Sequence, residues 1–190
     1  MKYLIVGLGN VGDQYAHTRH NIGFDVVAAF LQKHKGQLAV GRLAYHAEIK
    51  WKGNVFVCIC PTTYMNLSGK AVKYWMEKEN IERSNLLVIV DDLATPWDKI
   101  RIKPGGSDAG HNGLKSIQDY IGSTDYPKLR FGIGNDFAKE KQADFVLSKW
   151  RKEEEPMVEK KIAAAATAIE VFASQGIAIV MNQYNNLSFA

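Results

Sequence analysis

The sequence predicts a single α/β domain over residues 1–190: a mixed, mostly parallel, twisted sheet flanked by helices. Three observations predict it. Two uninterrupted apolar runs, Lys2 to Gly7 (KYLIVG) and Leu86 to Val90 (LLVIV), have the length and composition of strands buried on both faces. Segments of helical spacing alternate with such runs along the chain. The composition, 46% hydrophobic and 23% charged in 190 residues, supports one sizeable core with no repeat or linker.

The elements follow in order. Gly7 closes the first strand, and a polar loop leads to Asn21, which can cap a helix carrying Phe24, Val27, Ala28 and Leu31 on one face. Leu43 to Trp51 and Asn54 to Cys60 are β-rich runs separated by Lys52 and Gly53, the pattern of an antiparallel hairpin that Pro61 ends. Leu67 to Glu79 has helical spacing, and the strand Leu86 to Val90 ends on Asp91 and Asp92. Ile100 and Ile102 alternate with Lys99, Arg101 and Lys103, as in an edge strand. A glycine-rich loop from Pro104 to Gly113 precedes a helix from Leu114 to about Ile121, and Leu129 to Ile133 is a further strand. The Ala-rich stretch from Glu153 to about Ser174 is the longest helix, acidic at its start as the helix dipole favours.

Several classes of function are excluded early. No apolar run approaches the length that spans a bilayer. The apolar start MKYLIVGLGN meets Gly9, Asn10 and Asp13 at once, without a small-residue cleavage site, so a cytosolic protein is expected. Cys58 and Cys60 fall on the same face of one strand, too constrained to bridge each other, in keeping with a reducing compartment. The formal charge of +4 is compatible with a polyanionic partner but is mild.

Gly7-Leu8-Gly9-Asn10-Val11-Gly12 is a literal G-x-G-x-x-G after a strand, the dinucleotide fingerprint. Two features count against that use. The residues that follow, DQYAHTRHN, lack helical periodicity, and no acidic residue occurs between Asp25 and Glu48 to hold a ribose. More informative is the polar loop itself, which gathers Asn10, Tyr15, Thr18, Arg19, His20 and Asn21. Thr62 to Asn66, Asp91-Asp92 and Gly110-His111-Asn112-Gly113 join it, so four loops at strand ends concentrate asparagines, histidines and carboxylates. Asparagine amides supply both donor and acceptor for carbonyls and sugar hydroxyls.

The choice of reaction narrows by elimination. Gly105-Gly106-Ser107-Asp108-Ala109 misses the last glycine of a serine nucleophile elbow, and the two cysteines lie mid-strand. His17 and His20 in one loop are a weak metal pattern. What remains is histidine as general base toward water, oriented by a carboxylate, with amides stabilising the oxyanion; such a site suits an activated ester.

These residues fall in recognisable motifs. GLGNVGDQYAHTRHNIGF (Gly7 to Phe24), TTYMNLSG (Thr62 to Gly69), VDDLATP (Val90 to Pro96), GGSDAGHNGLKSI (Gly105 to Ile117) and YPKLRFGIG (Tyr126 to Gly134) occur in one order. Together the sequence resembles the bacterial peptidyl-tRNA hydrolases over roughly three quarters of its length. The resemblance implies a metal-independent, cofactor-free monomer with one α/β domain that cleaves the ester between a peptide and the 3′ ribose of tRNA. It implies His20 as catalytic base, Asp91 as the carboxylate that holds its imidazole, and Asn10 as a contact near the scissile ester. Tyr15, Tyr64, Asn66 and Asn112 would line the groove for the peptide and the tRNA 3′ end. Lys103 and Arg130 would clamp the tRNA 5′-phosphate.

Departures from the family pattern fall beside these residues. Val11 stands where proline is usual, Ala94-Thr95 replaces Asp-Leu, Trp97-Asp98 replaces a Pro- or Gly-containing turn, and Asp108-Ala109 replaces small residues before His111. Asp92 competes with Asp91, but strand alternation sends the two to different faces, so only one can reach His20. Asn66 and Asn112 also suit turn or cap positions. Between Lys99 and Arg130 lie Lys99, Arg101, Lys103, Lys115, Lys128 and Arg130, against Asp108, Asp119 and Asp125, which predicts tRNA binding that weakens as salt rises. A non-enzymatic RNA-binding module is the rival from another class; the paired aromatics of common single-strand RNA platforms are missing from the sequence.

Overall fold

The computed structural model describes residues 1–190. Seven strands form one sheet: β1 (Lys2–Gly7), β2 (Ala39–Val40), β3 (Ala44–Trp51), β4 (Asn54–Pro61), β5 (Leu86–Asp92), β6 (Ile100–Lys103) and β7 (Lys128–Gly132). Their order is β2-β3-β4-β1-β5-β7-β6. The central pairs β4/β1, β1/β5 and β5/β7 are parallel, while β2/β3, β3/β4 and β6/β7 are antiparallel. Six helices surround it: α1 (Ile22–Lys33), α2 (Ser68–Glu79), α3 (Asn112–Ile121), α4 (Gln142–Val146), α5 (Glu155–Gln175) and α6 (Ile177–Tyr184).

Alternation along the strands divides the core in two. Ile5, Cys58, Ile89 and Phe131 face α1 and α5, packing with Val26, Phe30, Ile169 and Phe172. Leu4, Val6, Ile59 and Val88 face α2 and α3, packing with Trp75, Leu114 and Ile117. Cys58 and Cys60 share the α1 side as free, buried thiols. Lys52 and Gly53 turn the β3/β4 hairpin with φ of 48° and 77°, the paired positive values of the tight turns that hairpins prefer. β6 is an edge strand, as its alternation predicts, and its edge is covered: the Asn185 side chain accepts from Ile102 N (2.7 Å) and donates to Ile102 O (2.8 Å).

The inward face of α1 differs from the sequence expectation. Ile22, Gly23, Val26, Val27, Phe30 and Leu31 are buried, whereas Phe24 is half-buried and Ala28 is exposed. Gly23 sets this rotation. A Cβ there would lie 2.4 Å from Leu8 N, and one on Gly7 would lie 2.2 Å from the Gly23 carbonyl, so the helix start presses on the end of β1 through two glycines. The glycine-rich motif therefore serves close packing: α1 begins only at Ile22, ten residues past Gly12, with two 3-10 turns between. Asn21 precedes α1 but makes no side-chain cap; its amide instead donates to Asn10 O and accepts from Asn10 N, both at 2.8 Å.

The chain crosses from one side of β1 to the other between β4 and β5. The carboxyl ends of the parallel strands therefore open a crevice there, the usual location of sites in open α/β sheets. No helix is long and apolar enough to cross a membrane.

Candidate active site

A cavity of about 540 Å³ occupies this crevice, and Asn10, His20, Asn66, Asp91, His111 and Asn112 are in its wall. They arrive on five pieces of the scaffold, with His111 and Asn112 adjacent at the start of α3. Asn10 follows β1 and is fixed by the paired Asn21 bonds; His20 sits in the 3-10 turn before α1; Asp91 ends β5; Asn66 lies in the 3-10 turn before α2; Asn112 starts α3.

Asp91 is the joint of the arrangement. It is 4% exposed, and its two oxygens meet two imidazoles. His111 Nδ1 accepts from Gly113 N (3.0 Å), which leaves that ring's proton on Nε2, donated to Asp91 Oδ1 at 2.8 Å. His20 Nδ1 donates to Asp91 Oδ2 at 2.9 Å, so the lone pair of its neutral form is on Nε2, which makes no hydrogen bond within the protein. Burial pushes the Asp91 carboxyl up, but His111 and His20 together overcome this and hold it well below the usual carboxylate range. Burial pulls His20 down, and the hydrogen bond and charge of Asp91 outweigh it, so the net shift is upward. The result is a strengthened base kept in one tautomer.

Asp92 is engaged elsewhere. Its Oδ2 accepts from Thr95 N (3.1 Å) and Thr95 Oγ1 (2.5 Å), closing a turn in which Thr95 is itself buried. Thr95, one of the departures noted in the sequence, thus occupies the competing carboxylate, which stays in the cavity wall but makes no bond to His20. Asp108 is likewise committed, accepting from Gly110 N at 2.8 Å, while Ala109 beside it takes φ of 50°.

The side-chain amides of Asn10, Asn66 and Asn112 form no hydrogen bond within the protein, so three donor–acceptor groups face the cavity unspent. Neither Tyr15 nor Tyr64 is in its wall; Tyr64 is 79% exposed, which excludes a core role. Lys103 and Arg130 line a second hollow together with Arg101 and the Gly105 to Ser107 backbone; Asp92 and Ala109 belong to the walls of both hollows. Arg130 is 9% exposed and donates through Nη2 to Ser107 O at 2.5 Å, leaving Lys103 as the exposed cation of the pair.

Two contributors had no role assigned from sequence. His111 was visible only as a member of a polar loop, and its bond to Asp91 depends on how α3 packs. Gln142, Ala143, Val146 and Leu147 of the α4 segment complete the wall, from a stretch with no periodicity to mark it. His20, Asp91 and His111 are also the cluster whose ligand atoms lie within 4.8 Å of one another, so a divalent ion, if held anywhere, would be held there in place of two protons.

Comparison with known proteins identifies the family and the fold. The peptidyl-tRNA hydrolase family model matches residues 4–190. A peptidyl-tRNA hydrolase of Phocaeicola vulgatus is 50% identical over 185 residues, covering 97% of this chain and 99% of the relative. One of Porphyromonas gingivalis is 49% identical, covering 97% and 100%. The crystal structure of peptidyl-tRNA hydrolase from Acinetobacter baumannii superposes with a TM-score of 0.93 at 33% identity, covering 99% of this chain and 96% of that one. With a family model matching nearly the whole chain and relatives about half identical to it, the chain belongs to the peptidyl-tRNA hydrolase family.

Proposed function

We propose that this chain hydrolyses the ester joining a peptide, or an N-blocked aminoacyl group, to the 3′ ribose of tRNA, with His20 as general base. The observation that carries the reading is the His20 imidazole: Nδ1 is tied to buried Asp91, and Nε2 is free in a cavity beside three unpaired asparagine amides. Water bound at His20 Nε2 loses a proton to the ring as its oxygen attacks the ester carbonyl. Asp91 stabilises the imidazolium that forms, and His111 keeps the Asp91 carboxylate in place. Asparagine N–H groups meet the developing oxyanion and grip the neighbouring peptide carbonyl, the task given to Asn10, Asn66 and Asn112. The tetrahedral intermediate then collapses, the ribose 3′ oxygen leaves, and the proton held on His20 returns to it.

The hollow of Arg101, Lys103 and Arg130 supports a place for a tRNA phosphate. Lys103 is the exposed cation there, with Arg101 half-buried and Arg130 held against the Ser107 carbonyl, a set that suits a polyanion and gives it no sequence selectivity. Tyr64, exposed beside Asn66, is available to stack on the 3′ terminal base.

The test is an assay in chelator with an N-blocked aminoacyl-tRNA and the same tRNA carrying a free amine, on the wild type and on His20→Ala. Release from the blocked ester alone, lost in the variant, supports the reading. Bound but intact tRNA in both proteins would replace it with a binding function.

A further inference from the structure

Arg19 is adjacent to His20, yet the hydrolysis and the phosphate hollow leave it unused. Its side chain is 4% exposed, an unfavourable place for a guanidinium unless several partners replace water. All of those partners come from one segment. Nη1 donates to Ser148 Oγ (2.5 Å) and Lys149 O (2.8 Å), and Nη2 donates to Glu154 Oε1 (2.8 Å). The guanidinium lies 4.3 Å from the Phe145 ring centroid and 5.1 Å from that of Trp150. The backbone adds to this: Arg19 N donates to Ser148 O at 3.0 Å, and Thr18 pairs with Lys149 as an antiparallel bridge.

The gripped segment continues from α4, and Gln142, Ala143 and Val146 of that helix, with Leu147 after it, are part of the wall of the catalytic cavity. α4 is five residues long and has no fully buried side chain, so apolar burial holds it weakly. A fork of donors clamped between two rings supplies what burial does not, and a lysine at this position could reach only part of it.

We propose that Arg19 is a positioning residue: it clasps the 142–150 wall over the catalytic cavity and so sets the shape of the subsite for the acyl and peptide part of the substrate. This rests on the reading of the His20 cavity as the site of ester hydrolysis. The wall meets the bound chain rather than the reacting atoms. Loosening it weakens ground state and transition state alike, which raises KM with little change in kcat.

The experiment compares the wild type, Arg19→Lys, the pair Arg19→Met with Glu154→Gln, and Phe145→Leu. The double variant removes the buried Arg19 charge together with its half-buried partner, so neither is left unpaired; Phe145→Leu removes one ring of the clasp with the arginine in place and carries the test if the Arg19 variants do not fold. Each is assayed on an N-acetylaminoacyl-tRNA and on a tRNA bearing a longer peptide, across pH, and amide exchange is followed over residues 142–150. The expected result is KM raised on the order of tenfold, more for the longer peptide, kcat within about threefold, an unmoved acid limb and faster exchange in 142–150. A lower melting temperature with unchanged KM overturns the proposal in favour of a purely structural role. A loss of kcat with a displaced acid limb also overturns it, because Arg19 then acts on His20. A wild type that cleaves neither ester overturns the proposed function itself, and this inference with it.

Discussion

Replacing Asp91 by asparagine preserves the side chain's shape and changes what its two polar atoms can do. His111 has its Nδ1 occupied by Gly113 N–H, so its Nε2–H still requires an acceptor, and the asparagine oxygen is the one available. The asparagine NH2 then faces His20 Nδ1 and can only donate to it. The imidazole is driven to the tautomer with its proton on Nε2, the nitrogen that must be bare to accept a proton from water. The charge-assisted bond at 2.9 Å is also lost, worth about 1.5–3 kcal/mol and so roughly 10- to 150-fold in rate. With the wrong tautomer added, plateau turnover should fall on the order of 10²- to 10⁴-fold. The pH profile gives an independent sign. The base works when neutral, so activity declines as pH falls through the His20 pKa, which in the wild type lies above its ordinary value because Asp91 outweighs burial. In Asp91→Asn burial acts unopposed, and the acid limb should move to lower pH. The assay is turnover of a blocked aminoacyl-tRNA at saturation from pH 5 to 9. A plateau within about threefold of wild type, or an acid limb moved upward, would refute the assignment of Asp91.

Three other perturbations probe different parts of the molecule. Lys103→Ala and Arg130→Ala should each raise KM with little change in kcat and lessen the slope of log affinity for tRNA against log salt by about 1, measured by filter binding; an unchanged slope would remove the phosphate contact. Ala109 sits at φ of 50°, where an L side chain is strained, so Ala109→Gly should raise unfolding free energy by about 0.5–1 kcal/mol in urea melts, and a loss of stability would show that the turn gains more from the side chain. Lys161, fully buried, donates to the carbonyls of Trp97 and Gly132 at 2.6 Å each, and burial pushes its ammonium down to about 7. Because the unfolded chain keeps that proton to about pH 10 while the folded one releases it, the group adds stability as pH rises between these values. Lys161→Met should lose this pH dependence and, with two carbonyls stranded, about 2–3 kcal/mol at neutral pH; urea midpoints at pH 6, 8 and 9.5 check both.

Sequence was most legible where burial or motif order determines structure. Leu86 to Val90 could be nothing but an interior strand, and alternation beyond it separated Asp91 from Asp92 before any contact was known. Legibility failed where a residue's place depends on distant packing. The rotation of α1 follows from Gly7 and Gly23 touching backbone, a constraint that apolar spacing does not express, so Ala28 was placed inward although it is exposed. α4 has no apolar stripe, and the residues just after it are held by the Arg19 guanidinium, 129 positions from Ser148 in sequence, a contact that local spacing does not express. Tyr15 and Tyr64 were given to the groove by the family resemblance, and in the folded chain both lie outside the cavity wall, with Tyr64 exposed.

The same comparison explains why His111 escaped notice. A histidine before a helix reads as an ordinary loop residue, and its Nδ1 does perform the ordinary task of capping α3 through Gly113 N–H. That capping bond is also what obliges Nε2 to carry the proton and donate to Asp91. One local interaction at a helix terminus therefore fixes a tautomer, the tautomer occupies one carboxylate oxygen, and the other oxygen is left for His20. The chain of constraint runs from backbone to base through Asp91, which is why a residue at 4% exposure in the cavity wall sets the tautomer of His20, the group proposed to activate water.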